Sequence, residues 1–214
     1  MESGDNLKTA TNRYTVFSLW DTFRNVHQLQ SLLYPERQLD MVRSMVDMYK
    51  ESGWLPRWEL YGRETFTMEG DPAIPVIVDS YLKGLRDFDV EAAYDAMRRS
   101  ATTSGANNPI RPDIDPYLEH GYIPVGLFAQ DMSGDNSVSH ALEYYVADNA
   151  LATFALEMGD EAFAEELEER AGGWRNYYST EYGALRPLDA NGDFLNLALG
   201  RCGASRFHNE WYCL

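Results

Sequence analysis

The residues of this chain best equipped for chemistry lie in Phe17-Ser-Leu-Trp-Asp-Thr-Phe-Arg24, where an indole, a carboxylate and a guanidinium share an otherwise apolar segment. Such groups suit a sugar. The indole of Trp20 can lie against the C–H face of a pyranose while Asp21 and Arg24 hydrogen-bond its hydroxyls. A spacing of three puts Asp21 and Arg24 on one side of a helix. The same side chains equally suit an ion pair inside a helical core, because buried Asp and Arg are usually paired for structural reasons.

Helices must carry these groups. Ser18 to Leu33 reads as one helix, with Leu19, Phe23, Val26, Leu29, Leu32 and Leu33 along a broad apolar stripe and Pro35 closing it. Glu36 to Glu51 places Leu39, Val42, Met45, Val46 and Tyr49 at helical spacing between Pro35 and Gly53. A third helix runs from Ile74 to Gly84, where Pro72 and Pro75 fit only a first turn. Asp89 reads as the N-cap of a helix ending near Ser100. Ser139 to Met158 forms a long helix closed by Gly159, and Asp160 caps a last one that carries Phe163, Leu167, Trp174 and Tyr177 but is weakened by Gly172 and Gly173. Its run Glu165, Glu166, Glu168, Glu169 reads as a solvated face.

Between Ser100 and Asn136 the prolines 109, 112, 116 and 124 are too frequent for a continuous helix. A loop of this length in a compact domain tends to be functional, so it is expected to form a lip of a binding site, with a solvated linker as the alternative. No segment alternates like a strand and no short internal repeat is evident, so the helices, arriving in pairs, argue an all-α chain of stacked helical hairpins.

Composition narrows the partners. With 34 acidic and 18 basic residues the net charge is −16, which repels nucleic acid at long range. At 214 residues and 44% hydrophobic the chain can bury one ample core or two small ones. No apolar run approaches the roughly 18 to 20 residues that a bilayer requires, so no membrane partner is expected. The first residues lack a basic stretch followed by an apolar one, which as written points to the cytoplasm or to a piece cut from a longer precursor. Two cysteines, Cys202 and Cys213, exclude a disulfide framework for the body, and their proximity in sequence to His208 is read as coincidence rather than a metal site.

Several clusters together resemble one known family. Phe17 to Arg24 is followed by Gly53-Trp-Leu-Pro-Arg-Trp58, Glu64-Thr65 with Met68-Glu-Gly70, Val78-Asp79-Ser-Tyr-Leu-Lys-Gly84 with Phe88-Asp89, and Gly121-Tyr-Ile-Pro124 with Ser137-Val-Ser139 and Leu142-Glu-Tyr144. In order and spacing this is similar to the catalytic domain of family 92 of the glycoside hydrolases, over residues 12–188. The resemblance implies an incomplete (α/α)6 toroid, preceded in the family by a β-sandwich domain. It also implies a calcium-dependent, exo-acting, inverting α-mannosidase activity, mostly α-1,2, with a mannose-containing glycan as partner. Trp20, Asp21 and Arg24 match the family's Trp-Asp-Thr-Phe-Arg motif, which lines the pocket for the terminal mannose. Glu64 in Glu-Thr-x-x-Met-x-Gly, and Glu143 and Tyr144 in Leu-Glu-Tyr, correspond to pocket-side positions.

The chain also departs from the pattern. Asp71-Pro72 stands where the family usually has a His, and Leu-Glu-Tyr-x-x-x-Asp-Asp-Trp has become Leu142-Glu-Tyr-Tyr-Val-Ala-Asp148-Asn149-Ala150. The family's general acid sits in Glu-Gly-Asn-x-x-Gln, whose Gln also helps hold calcium, and its general base in Asn-Asp-Asp-x-Gly-Gln; neither motif occurs here. Glu69-Gly70-Asp71 lies in the wrong place and Gly134-Asp135-Asn136 lacks paired carboxylates. Inversion needs two carboxyl groups about 6.5 to 9.5 Å apart. No catalytic residue and no calcium ligand set is therefore expected in this chain, which reads as a fragment without turnover of its own. The expected organisation is a disordered N-terminus over 1–11, a partial toroid over 12–188, and an irregular tail over 189–214 of a truncated or frameshifted product. The alternative is a non-catalytic helical remnant that binds sugar weakly or self-associates through exposed helical faces. Relatives in the family are typically secreted or periplasmic.

Overall fold

The computed structural model describes residues 11–127 and 136–195. Cys202, His208 and Cys213, the pair Gly134-Asp135, and most of the expected terminal segments lie outside the described residues. Eight helices are described: α1 Leu19–Thr22, α2 Val26–Leu33, α3 Pro35–Ser52, α4 Ala73–Leu82, α5 Val90–Thr102, α6 Ile114–His120, α7 Ser137–Glu157 and α8 Glu161–Ala171. Two antiparallel pairs of two-residue strands join them, β1 Glu59–Leu60 with β2 Arg63–Glu64 and β3 Tyr178–Ser179 with β4 Ala184–Leu185. The body is all-α as expected, and strands this short leave no alternation to read.

The helix boundaries follow local chemistry. Asp89 accepts the Ala92 N–H at 3.1 Å and Asp160 the Phe163 N–H at 3.3 Å, each satisfying a donor that the first turn orphans. Pro35 opens α3, and Gly53 closes it in the left-handed region at φ 85°.

Three expectations are corrected. The Ser18–Leu33 segment is two helices, because the chain turns at Phe23–Asn25 and the Gln28 side chain donates to the freed Phe23 carbonyl at 2.7 Å. Leu19 and Phe23 of the apolar stripe are buried, but its α2 part faces solvent: Leu29, Leu32 and Leu33 are 56%, 73% and 60% exposed, while α2 buries His27 and Ser31. His27 meets Thr22 Oγ1 and Gln38 Oε1, both at 2.9 Å, and Gln38 Nε2 donates to Ser80 Oγ at 3.0 Å, so a polar chain ties α2 to α3 and α4. Buried polar groups must find partners, and this network sets the rotation of α2.

The proline-rich stretch, in turn, is in part interior and ordered among the described residues: Asn108, Ile110, Arg111, Asp113, Ile114 and Tyr117 are buried. Pro116 sits in the first turn of α6, where a missing N–H costs nothing. Asn108 replaces regular structure: its Nδ2 donates to the Ser100 and Thr103 carbonyls at 2.8 and 3.0 Å, and its Oδ1 accepts from the Ile110 and Arg111 N–H groups. Finally, α8 ends at Ala171, and Gly172–Tyr177 tightens into a 3-10 turn. A Cβ on Gly173 would lie 2.5 Å from the Gly121 carbonyl oxygen and 2.7 Å from Tyr145 Cε1, so close contact rather than helix propensity explains that glycine.

Helix α7 spans both parts of the core. Its C-terminal half, with Leu151, Phe154 and Ala155, packs among residues of α3, α4, α5 and α8 such as Met45, Ile77, Met97 and Leu167. Its N-terminal half, with Val138, Ala141, Tyr144 and Tyr145, packs against Ile114, Tyr117, Ile123 and Tyr177. Among the described residues no helix is long and apolar enough to cross a membrane.

Candidate functional site

The wall around Trp20 is assembled from three segments. The Leu19 N–H donates to the Arg57 carbonyl at 3.1 Å, fixing α1 against the loop before β1. Trp20 is buried, and the Arg24 guanidinium lies 4.9 Å from its ring centroid and 4.7 Å from that of Phe23. Arg24 Nη2 donates to Glu143 Oε1 at 2.8 Å, from a side chain 31% exposed to one 2% exposed. Glu143 comes from α7, and the backbone of Gly70 runs directly over it: a Cβ there would lie 2.4 Å from Glu143 Cβ. Gly70 stands at φ 77°, so its lack of a side chain serves both the turn and the contact.

The other residues read from the sequence are placed differently. Asp21 does not pair with Arg24, because the turn at Phe23–Asn25 sends the guanidinium to α7; its exposed carboxylate accepts from Ser18 Oγ. Glu64 accepts backbone N–H groups from Arg57, Trp58 and Phe66 at 2.7, 2.9 and 2.9 Å and so shapes its own loop. Tyr144 is fully buried and donates to Asp113 Oδ1; burial pushes its hydroxyl well above the usual phenol range. Of the six residues, Trp20, Arg24 and Glu143 are brought together.

Behind this wall lies a charged network that sequence reasoning missed. Arg111, fully buried, donates from Nε to Asp71 Oδ2 at 3.0 Å and from Nη1 to Asp148 Oδ1 at 2.6 Å. Ser100 donates to Asp71 at 2.6 Å and Tyr117 to Asp148 at 2.8 Å. Asp113 sits beside them, its carboxyl pushed up to about 6 by burial, against the opposing pull of Tyr144, Arg57 and Arg111. His140 Nδ1 lies 3.5 Å from Asp113 Oδ2, yet burial holds the imidazole well below its ordinary value, so the contact involves a neutral ring. The available signal was the departure at Asp71, which the structure joins to Asp148 through Arg111.

A separate cavity of about 520 Å³ opens between the end of α3 and the β1–β2 hairpin, walled by Met48, Trp54, Leu55 and Phe66. Of the residues read from the sequence, Glu64 lines it. Among the described residues there is no group of three or more His, Cys, Asp or Glu side chains able to hold a metal, and Asp71 and Asp148 are paired with Arg111.

The profile of the glycosyl hydrolase family 92 catalytic domain matches residues 2–210. The chain belongs to glycosyl hydrolase family 92. This family 92 chain is 31% identical to an α-mannosidase of that family from Bacteroides thetaiotaomicron, with a TM-score of 0.82 over 97% of this chain and 27% of that one. The same enzyme solved with mannoimidazole gives 30% identity and a TM-score of 0.84, over 97% of this chain and 28% of that one. An inverting family 92 mannosidase from the same bacterium gives 31% and 0.80, over 88% of this chain and 25% of that one. A curated relative from Arthroderma benhamiae, described as an uncharacterized secreted glycosidase, is 28% identical over 151 residues, which is 68% of this chain and 19% of that protein. The family 92 chain thus spans about a quarter of its solved relatives, and the helical hairpins described above are part of the family's (α/α)6 toroid.

Proposed function

We propose that this chain is part of the catalytic domain of an inverting α-mannosidase acting on terminal α-linked mannose, chiefly α-1,2-linked, and that it supplies one wall of the pocket for the departing sugar. The observation that carries this reading is the Trp20–Arg24–Glu143 assembly, built from the family's motif residues on a fold shared with a mannosidase solved with mannoimidazole. In the proposed complex the exposed carboxylate of Asp21 accepts from sugar hydroxyls and the accessible edge of Arg24 donates to them. Trp20 and Phe23 form the apolar floor under the guanidinium, and Glu143 holds Arg24 in one rotamer so that little ordering is left for binding. Tyr144 and Glu64 act behind this surface by fixing α7 and the loop after Trp58.

The chain alone is proposed to bind without turnover. Its sequence carries neither of the two family motifs that supply acid and base, and protonation of the leaving oxygen needs one carboxyl while activation of water needs the other. The test is calorimetric titration with mannoimidazole, together with assay of mannose release from α-1,2-mannobiose in the presence of calcium. Saturable binding that Asp21→Ala or Arg24→Ala weakens about tenfold, a loss of about 1.4 kcal/mol, is expected, with no mannose released. Absence of saturable binding overturns the pocket, and mannose release that Asp21→Ala abolishes overturns the lack of turnover. A second reading, self-association, is favoured by the exposed leucines of α2.

A further inference from the structure

Glu59, in β1, is 4% exposed, yet its hydrogen-bond partners are all neutral. Its carboxylate accepts from Thr15 Oγ1 at 2.7 Å to each oxygen, from the Val16 N–H at 2.7 Å, and from the Gly62 N–H at 2.5 Å. A charge taken out of water needs such donors. A staple for the hairpin would need Gly62 alone, whereas two of these three groups come from a segment more than forty residues earlier. Val16 itself lies at φ 64°, a region that a β-branched residue enters only when its surroundings force it. Three more non-glycine residues with positive φ, Tyr61, Phe66 and Met68, lie in or just beyond the same hairpin.

From Val16 the chain runs directly into the wall. Phe17 is buried next to it, the Leu19 N–H reaches the Arg57 carbonyl, and α1 then presents Trp20. Arg57 and Trp58 are in turn fixed by Glu64, so two carboxylates with backbone donors stand where a regular sheet would otherwise set the geometry. We infer that Glu59 is a positioning residue: its carboxylate holds Val16 in the left-handed region and thereby aims the Phe17–Arg24 segment at α7. Only the purpose of that aim, a sugar-binding wall, rests on the proposed function.

The test uses the full chain without sugar. Glu59→Gln keeps the length of the side chain but exchanges one acceptor for an NH2 that faces N–H donors. Hydrogen exchange of the segment 15–22 is expected to accelerate about tenfold in this variant, with α7 and α8 unchanged. Val16→Gly removes the Cβ conflict, so by itself it raises the midpoint of urea unfolding, and in the Glu59→Gln background it brings exchange of 15–22 back toward wild type. A lower midpoint in Val16→Gly overturns the inference, since glycine would then only have added freedom to the unfolded chain. Acceleration spread evenly over the protein, or none, overturns it as well. Should Glu59→Gln fail to fold, the sign of the Val16→Gly shift decides. A failure of mannose binding leaves each of these readouts untouched.

Discussion

Arg111 shows how a single side chain organises the interior. It is flanked by Asp71 and Asp148, so the trio carries one net negative charge, and Ser100 and Tyr117 each donate a hydroxyl to take up remaining acceptor capacity. Removing the cation leaves two carboxylates buried without their partner, and Arg111→Met is expected to lower the urea-unfolding free energy by about 3–5 kcal/mol. Asp113 gives this region a pH dependence. Its folded-state value of about 6 lies above the ordinary carboxylate value of 3.8, so the native state binds that proton more tightly than the unfolded chain. The resulting stability is complete below pH 4 and is lost as pH rises through about 6. His140 acts in the opposite sense: its value is depressed, so its contribution is complete above pH 6.5 and is lost on acidification. Asp113→Asn cannot titrate there, and its stability relative to wild type is expected to improve by about 2–3 kcal/mol between pH 4 and pH 7, measured by urea unfolding at each pH.

At the level of elements, the decisive contact is a loop laid on a helix. Gly70 brings the Met68–Gly70 turn onto α7 over Glu143, the partner of Arg24. Gly84, after α4, also has a left-handed φ, 91°, but nothing lies within 4 Å of a Cβ built there. The two glycines separate backbone strain from packing. Gly84→Ala is expected to cost about 1–2 kcal/mol for the left-handed conformation. Gly70→Ala adds about 1–3 kcal/mol of overpacking to that cost and displaces Glu143, so it weakens mannoimidazole binding while Gly84→Ala does not. Thermal unfolding and titration of both variants test the pair. The helices themselves were readable: Asp89 and Asp160 cap the helices their positions suggested, and Pro35 and Gly53 bound α3. The break inside Ser18–Leu33 was not, because it depends on a turn at Phe23–Asn25 and on side chains of α3 and α4 that lie far along the chain.

Taken whole, the protein has an inverted feature at one edge. Val26, Leu29, Leu32 and Leu33 of α2 and the adjoining Tyr34 all face solvent, and α2 carries no charged residue on a chain of net charge −16. Contiguous apolar surface of this kind favours association, and the neutrality of α2 puts the least like-charge repulsion there. Wild-type protein is expected to form concentration-dependent oligomers by light scattering, and Leu29→Lys with Leu32→Lys to remain monomeric without loss of thermal stability. A wild-type monomer across the accessible concentration range counts against this.

Helix periodicity, capping residues and the motif Trp20-Asp-Thr-Phe-Arg24 are local properties, so the all-α architecture and the family were legible from residue order. Which way each face turned was not. The stripe of α2 points outward because His27, Gln38 and Ser80 need one another inside, and Arg24 pairs with Glu143 rather than Asp21 because a turn and a glycine bring α1 and α7 together. Asp71 and Asp148 stand far apart in sequence and become one network only where Arg111 reaches both. Desolvation and long-range pairing act through space, and their outcome is set when segments distant in the chain are packed against each other.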